Sequence, residues 1–476
     1  MGARVVIVGG GLAGLAAASA LAPRGFAVTL LESRPRWGGR ASSFIDRTTG
    51  EEVDNCQHVA LGCCTNFLHF CRIVGIERFF ERENRLTFIG PDGGASELSA
   101  TNLPAPLHLF PAFGRLGFLT WRDKWRLALG LSALARTDPA KGGTESFLEW
   151  LERHGQPRAV IESFWHVVLV SALSETLDRI DVGHARKVFV DSFLRNRHGW
   201  EVWLPTVSLG ELYGAVVEGW LAAHGVACRL QCGVRQVTAE NVANGSPSRA
   251  SGVELRSGEF LAADDVILAT PQFLLADLLP DSWRANPEFA MASALQTAPI
   301  SSVHLWFDRP ITALRHATFV GRLCQWLFNR SAIQGESAAK GENGAACYYQ
   351  VVISASREVT SRPQDETIRA VTAELAALWP VVREARLVHA RLVTEHKAVV
   401  SMLPGVEKSR PTQNTSIANL HLAGDWTQTG WPGTMEGAVR SGYLAAESVL
   451  RRHGHHEPLV EPDLPTAFLS RLVLGL

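Results

Sequence analysis

What this 476-residue chain lacks already narrows its function. It lacks an excess of either charge: 46 Lys and Arg stand against 47 Asp and Glu, a formal net charge of −1. Nucleic-acid binders carry a basic surplus, so that class is disfavoured. It lacks any apolar run of the ~18 residues that a membrane-crossing helix needs. It lacks a basic stretch followed by a cleavage pattern at its start; Val5 to Val8 runs straight into glycines, so a cytoplasmic protein is expected. Eight Cys occur without a single Cys-x-x-Cys pair. The Cys56, Cys63, Cys64, Cys71 cluster therefore reads as reduced, buried thiols, and the His453, His455, His456 group as a solvated polar tail. No metal site is expected. Tyr is scarce, at 4, against 14 Trp. Wide apolar cavities and membrane interfaces both use Trp, as do ordinary cores. With 46% hydrophobic residues the chain is not disordered. At ~150 residues per domain its length suggests about three domains or two large ones.

The most specific stretch comes first. Arg4 to Val8 is a short β-branched run, as a buried parallel strand should be. Gly9-Gly10-Gly11-Leu12-Ala13-Gly14 follows, then an Ala-rich helix to Leu21, a break at Gly25, and a second strand from Phe26 to Leu31 ending at Glu32. Strand, glycine turn, helix, strand and acid in this order point to dinucleotide binding. Gly9 permits the tight turn, Gly11 admits a pyrophosphate to the backbone, and Gly14 lets helix and strand pack closely. Leu12 and Ala13 open the helix whose free N–H groups face the phosphates. Glu32, followed by Ser33, is placed for ribose hydroxyls.

Gly38-Gly39-Arg40-Ala41 then resembles the second FAD contact of glutathione-reductase-like flavoproteins. A matching end lies far downstream. Leu420 to Asp425 reads as a strand running into a Gly-Asp turn, and Thr434 to Val449 as a helix carrying Met435 and Ala438 at its start. An acid at that strand end can hold ribityl hydroxyls, and the helix N-terminus can face the flavin ring. Between the two ends lie a helix to about His224 and strands from Cys228 to Val237; the resemblance implies that they are the returning half of the cofactor domain, with the backbone around Val234 toward the adenine. Asn241 to Ser251 reads as a polar hairpin loop, Asp264 to Pro271 as a further strand and turn, and Ser331 to Ala346 as a second exposed loop.

Together these residues resemble the flavin amine oxidase and phytoene desaturase superfamily. A narrower likeness comes from Asp54-Asn-Cys-Gln57-His58. It resembles the Asp-Asn-x-Gln-His motif of the hydroxysqualene dehydroxylases, formerly described as squalene-associated FAD-dependent desaturases of hopanoid biosynthesis. The run Gly430 to Glu436 fits the same group. The resemblance implies FAD as cofactor, a hydrophobic isoprenoid substrate, and reductive dehydroxylation of hydroxysqualene to squalene by hydride from FADH2. It implies Gln57 and His58 beside the flavin, with His58 the leading acid for the departing hydroxyl and Asp54 orienting the turn. A local, pocket-shaping role for His58 stays open. The superfamily's amine oxidases use an aromatic residue just before Met-Glu-Gly, where this chain has Thr434. An amine cage is therefore disfavoured. Carotenoid or phytoene-type desaturation is the alternative reaction, and a non-catalytic flavin-bearing, isoprenoid-binding scaffold the alternative of another class. Candidate protein partners are the squalene-pathway synthases. The electron donor is unknown; no second Gly-x-Gly-x-x-Gly unit offers a nicotinamide site.

The expected fold is α/β: an FAD-binding doubly wound, glutathione-reductase-like Rossmann domain interwoven with an α+β substrate domain. The first is assigned residues 1–65, 206–290 and 400–450, the second 66–205 and 291–399, with a tail over 451–476. Leu103 to Trp121 is apolar and broken by proline, and Trp125 to Ala135 continues as a basic-edged helix. With Trp121, Arg122, Lys124, Trp125 and Arg126 it is a candidate for peripheral membrane contact, as is Leu464 to Leu476; packing as core over the substrate pocket is the alternative for the first.

Overall fold

The computed structural model describes residues 2–138, 143–240, 249–335 and 347–476. Most of the loop expected over Asn241 to Ser251 lies outside the described residues. Of the loop expected over Ser331 to Ala346, the described part is a helical turn, Arg330–Gln334.

Strand β1 (Arg4–Val8) buries Val5 to Val8 and runs into α1 (Leu12–Leu21), every residue of which is buried. A helix apolar all round can only be enclosed. β2 (Ala27–Leu31), β3 (Ala227–Arg229), β4 (Asp265–Leu268) and β5 (Leu420–Leu422) complete a five-stranded parallel sheet in the order β3-β2-β1-β4-β5. Val8 is in register with both Leu31 and Leu268. This is the doubly wound dinucleotide-binding order, and its ligands bind beyond the carboxyl ends of the strands. The glycine turn, Glu32, Ala269 and Asp425 all follow strand ends at that edge.

A seven-stranded mixed sheet forms the second body. Its strands run in the spatial order 387–400, 297–307, 347–353, 326–329, 316–319, 85–89 and 95–99. Above it sits a helical layer that includes α2 (Phe110–Gly114) and α3 (Trp121–Arg136), with Leu127, Leu134, Phe147, Trp150, Trp165 and Phe189 in its core. α3 starts earlier than the expected Trp125, because Thr120 and Asp123 form a reciprocal capping box that nucleates the turn at Trp121.

The chain then returns through α4 (Met435–Arg452), which lies along α1 so closely that a Cβ on Gly442 would sit 2.2 Å from the Ala13 carbonyl. The C-terminal segment ends in α5 (Phe468–Leu474). It is tied down along its length: Leu459 joins the α1–α4 core, Asp463 pairs with Lys187 at 2.7 Å and with Arg440, and Leu474 joins the helical layer. The expectation of a solvated histidine tail is corrected at His453, whose Nε2 pairs with Asp265 at 2.7 Å.

Candidate functional site

The three glycines of the first turn are there for two different reasons. Gly9 has φ +112°, and a Cβ on it would lie 2.5 Å from the Ala269 carbonyl. On Gly14 it would lie 1.9 Å from the Gly9 carbonyl. Both are required for close packing. A Cβ on Gly11 would meet only the Gly39 Cα, at 3.9 Å, because this residue faces an open cavity. The α1 N-terminus at Gly11, Leu12 and Ala13 has no side-chain cap and no acid in its first turn. Its unpaired N–H groups make a ready anion site.

Glu32 accepts from the Gly10 N–H at 2.8 Å with one oxygen, and from the Arg34 N–H at 2.8 Å and the Ser33 hydroxyl at 3.1 Å with the other. It therefore braces the glycine turn as well as lining the cavity. Gly38 and Gly39 have positive φ, and the Gly38 N–H donates to the Gly10 carbonyl at 2.9 Å. Arg40 reaches across 385 residues to Asp425 at 2.5 Å and also donates to the Ala398 carbonyl at 2.6 Å. The two ends of the chain are thus closed on one another by an ion pair at the cavity wall. Asp425, expected for ribityl hydroxyls, is also the partner of Arg40.

The loop after Asp425 is held from within by Arg410. Its buried guanidinium donates to the carbonyls of Asp425 at 3.0 Å, Thr427 at 2.6 Å, Trp431 at 2.9 Å and Trp426 at 3.3 Å. Thr434 caps α4, accepting from the Gly437 N–H at 3.2 Å, so the helix starts at the cavity with Met435 and Ala438 in its wall. Val234 also lines the cavity.

The cavity has a volume of about 730 Å3. One part runs past Gly11, Glu32, Arg34, Gly39, Val234 and Arg256. The other is walled by Leu86, Phe88, Phe113, Phe164, Phe193 and Trp326. Of the 14 Trp, Trp200, Trp326, Trp426 and Trp431 line it. A dinucleotide fits the stretch lined by the glycines, Glu32 and Arg34, and the wall around Phe88, Phe113 and Phe193 is apolar.

Gln57 and His58 stand in the cavity wall. Their turn is clamped from below. Asp54 accepts from the Ser43 hydroxyl at 2.7 Å, the Leu209 N–H at 2.8 Å and Arg330 at 2.7 Å, and the other terminal nitrogen of Arg330 donates to the Gln57 amide oxygen. Asp54 thus orients the turn, through a partner that the sequence reading did not identify. Arg330 follows an ordinary strand, carries no motif, and lies 276 residues from Asp54.

His58 differs from the expected acid. Its Nδ1–H donates to the Cys56 carbonyl at 2.9 Å, since a carbonyl can only accept. Burial, the largest influence, pushes its pKa below the usual histidine value. At neutral pH the ring is then uncharged and Nε2 carries a lone pair.

The sequence model described as flavin containing amine oxidoreductase matches residues 12–450. The 15-cis-phytoene desaturase of Synechococcus elongatus is 27% identical over 471 residues, covering 94% of this chain and 96% of that protein. The chloroplastic/chromoplastic 15-cis-phytoene desaturase of Narcissus pseudonarcissus is 28% identical over 482 residues, covering 94% and 80%. Among solved structures, an oxidoreductase from Methanosarcina mazei superposes with a TM-score of 0.71 at 17% identity, covering 94% of this chain and all of the other, a likeness of fold.

Proposed function

The chain belongs to the flavin containing amine oxidoreductase family, and from that premise we propose that it carries out hydride chemistry on a long isoprenoid chain lying in the apolar part of the cavity. It is an FAD-dependent oxidoreductase of α/β fold. The observation that carries the substrate reading is the cavity itself: an apolar channel walled by Phe and Trp, continuous with the dinucleotide cradle and passing Gln57 and His58.

When bound, FAD supplies or accepts the hydride. The protein's own part is to hold the cofactor, exclude water and handle the proton. Glycine turn, Arg40 and the α1 N-terminus hold the charged end. Phe88, Phe164 and Phe193 keep water from an allylic cation formed on the substrate. Trp200 and Trp326 stand in the same wall, where an indole face turned to such a cation stabilises it by up to about 2 kcal/mol when desolvated.

Two directions share this machinery. In desaturation a hydride leaves one carbon, a proton leaves its neighbour, and a carbon–carbon double bond forms. The activity of the desaturase relatives supports this direction, and neutral His58 has the lone pair to take the proton. In reductive dehydroxylation the hydroxyl of hydroxysqualene leaves as water and a hydride takes its place on carbon. The Asp54 to His58 run supports that direction, with the proton coming from a group other than neutral His58. Such lipids reside in bilayers, so the reading includes peripheral attachment to a membrane.

Anaerobic single turnovers decide the direction. Oxidised protein is incubated with phytoene and photoreduced protein with hydroxysqualene, and the lipids are analysed by mass. Loss of two hydrogens from phytoene supports desaturation; squalene supports dehydroxylation. No change in either arm, with flavin bound, overturns the isoprenoid reading.

A further inference from the structure

The most exposed large apolar side chains gather on the helical layer. Trp121 (74% exposed), Trp125 (66%) and Leu129 (47%) repeat every four residues along α3. Such residues share one helix face, and among the described residues that face is left exposed. The opposite face, with Leu127, Leu131 and Leu134, is fully engaged in the core. α5 is built the same way: Phe468 (79%) and Leu472 (72%) are exposed, while Leu474 is packed inward. The two helices touch, and the Arg136 guanidinium donates to the Val473 carbonyl at 3.0 Å. Segments more than 300 residues apart therefore meet at the C-terminal end of α3, and each carries an exposed apolar row.

Charge says what covers them. The protein as a whole is balanced, yet α2, α3 and α5 with their connecting residues over 110–136 and 467–476 carry six basic groups and one acid. Arg115, Arg122, Arg126, Arg136 and Arg471 are exposed, and Lys124 sits 4.6 Å over the Trp121 ring while donating to the Gly114 carbonyl. The one acid, Asp123, is spent in the capping box with Thr120. Indole rings edged by an excess of cations match the zone between lipid headgroups and acyl chains. The same layer also forms the cavity: α2 turns Phe110 outward and lends Phe113 to the cavity wall.

We propose that α3 and α5 together form a docking surface for an anionic lipid bilayer, with the C-terminal helix an integral part of it. This rests on the lipid-borne substrate proposed above and adds the surface, its two components and its preference for negative headgroups.

The test is co-sedimentation of the flavin-loaded full chain with vesicles of phosphatidylcholine alone or with phosphatidylglycerol, in the absence of substrate. Binding is expected to the anionic vesicles and to weaken with salt. Replacing Arg122 or Arg126 by Gln should lower the partition coefficient about fivefold each. W121S/W125S and F468S/L472S should each lower it by tenfold or more while flavin absorbance is unchanged, since these side chains are outside the core and the cavity. The proposal is overturned if the wild type does not bind anionic vesicles, if F468S/L472S binds like wild type, or if the variants merely convert a solution dimer into a monomer. Because no substrate is present, failure here leaves the redox reading standing, and inactive but vesicle-bound protein sinks only the redox reading.

Discussion

Replacing Arg330 by Met strands the Asp54 carboxylate in the interior. The two side chains are 1% and 0% exposed and 2.7 Å apart. In R330M, Asp54 keeps the Ser43 hydroxyl and the Leu209 N–H. Breaking a buried pair from one side costs about 3–5 kcal/mol, and two retained donors place this one near the lower end, about 3 kcal/mol. An unfolding entropy of ~2 cal/mol/K per residue makes about 1 kcal/mol/K for a chain of this length, so Tm should fall by about 3 °C. D54N strands the guanidinium instead, with Gln57 as its remaining side-chain partner. The double variant D54N/R330M has no stranded charge, and its loss should be smaller than the sum of the single losses by about 1.5 kcal/mol or more. The assay is thermal unfolding of the flavin-loaded proteins, followed by flavin fluorescence and circular dichroism. Strictly additive losses would refute the clamp. Since Arg330 also holds Gln57, R330M should lower turnover even at temperatures where it is fully folded.

Three other outcomes follow from the geometry. Gly11→Ala should fold with an unchanged Tm yet bind FAD at least tenfold more weakly, about 1.4 kcal/mol, whereas Gly14→Ala, with its 1.9 Å clash, should fail in stability itself; isothermal titration and thermal melts separate the two. Asp425→Ala should release flavin on gel filtration, because it removes the carboxylate that joins Arg40 to the far end of the chain at the cavity wall. His304 is buried against Tyr348, and burial, helped by the charge on Arg330, lowers its pKa to about 3. An unfolded chain takes up that proton near pH 6.5 while the folded one does not, so stability is fully present above pH 6.5 and is lost as pH falls toward 3. The slope is up to about 1.4 kcal/mol per pH unit, and His304→Gln should flatten it in urea midpoints measured from pH 7 to 4.5.

Legibility in the sequence followed the range of the interactions. The β1–α1–β2 unit was readable because strand run, glycine turn and helix lie within some thirty residues, and Gly9 and Gly14 are demanded by the backbone there. The β5 strand and α4 were readable for the same reason. The start of α3 was missed although its capping box is local, because the apolar, proline-broken stretch before it masked the Thr120–Asp123 pair. The helical turn at Arg330–Gln334 was missed because small polar residues read as loop, while its position is set by the strand before it.

A dinucleotide cradle, with the glycines, acid and helix ends expected to compose it, is legible because these features are written in consecutive residues. Tertiary packing sets what stands around the reacting end. It joined Arg40 to Asp425 and Arg330 to Asp54, chose four Trp from 14 to line the cavity, and set α5 beside α3. It also buried His58, which lowers its pKa, and turned its Nδ1 to the Cys56 carbonyl. Contacts between residues hundreds of positions apart come from sheet register and helix packing, and no local pattern of residue types encodes them.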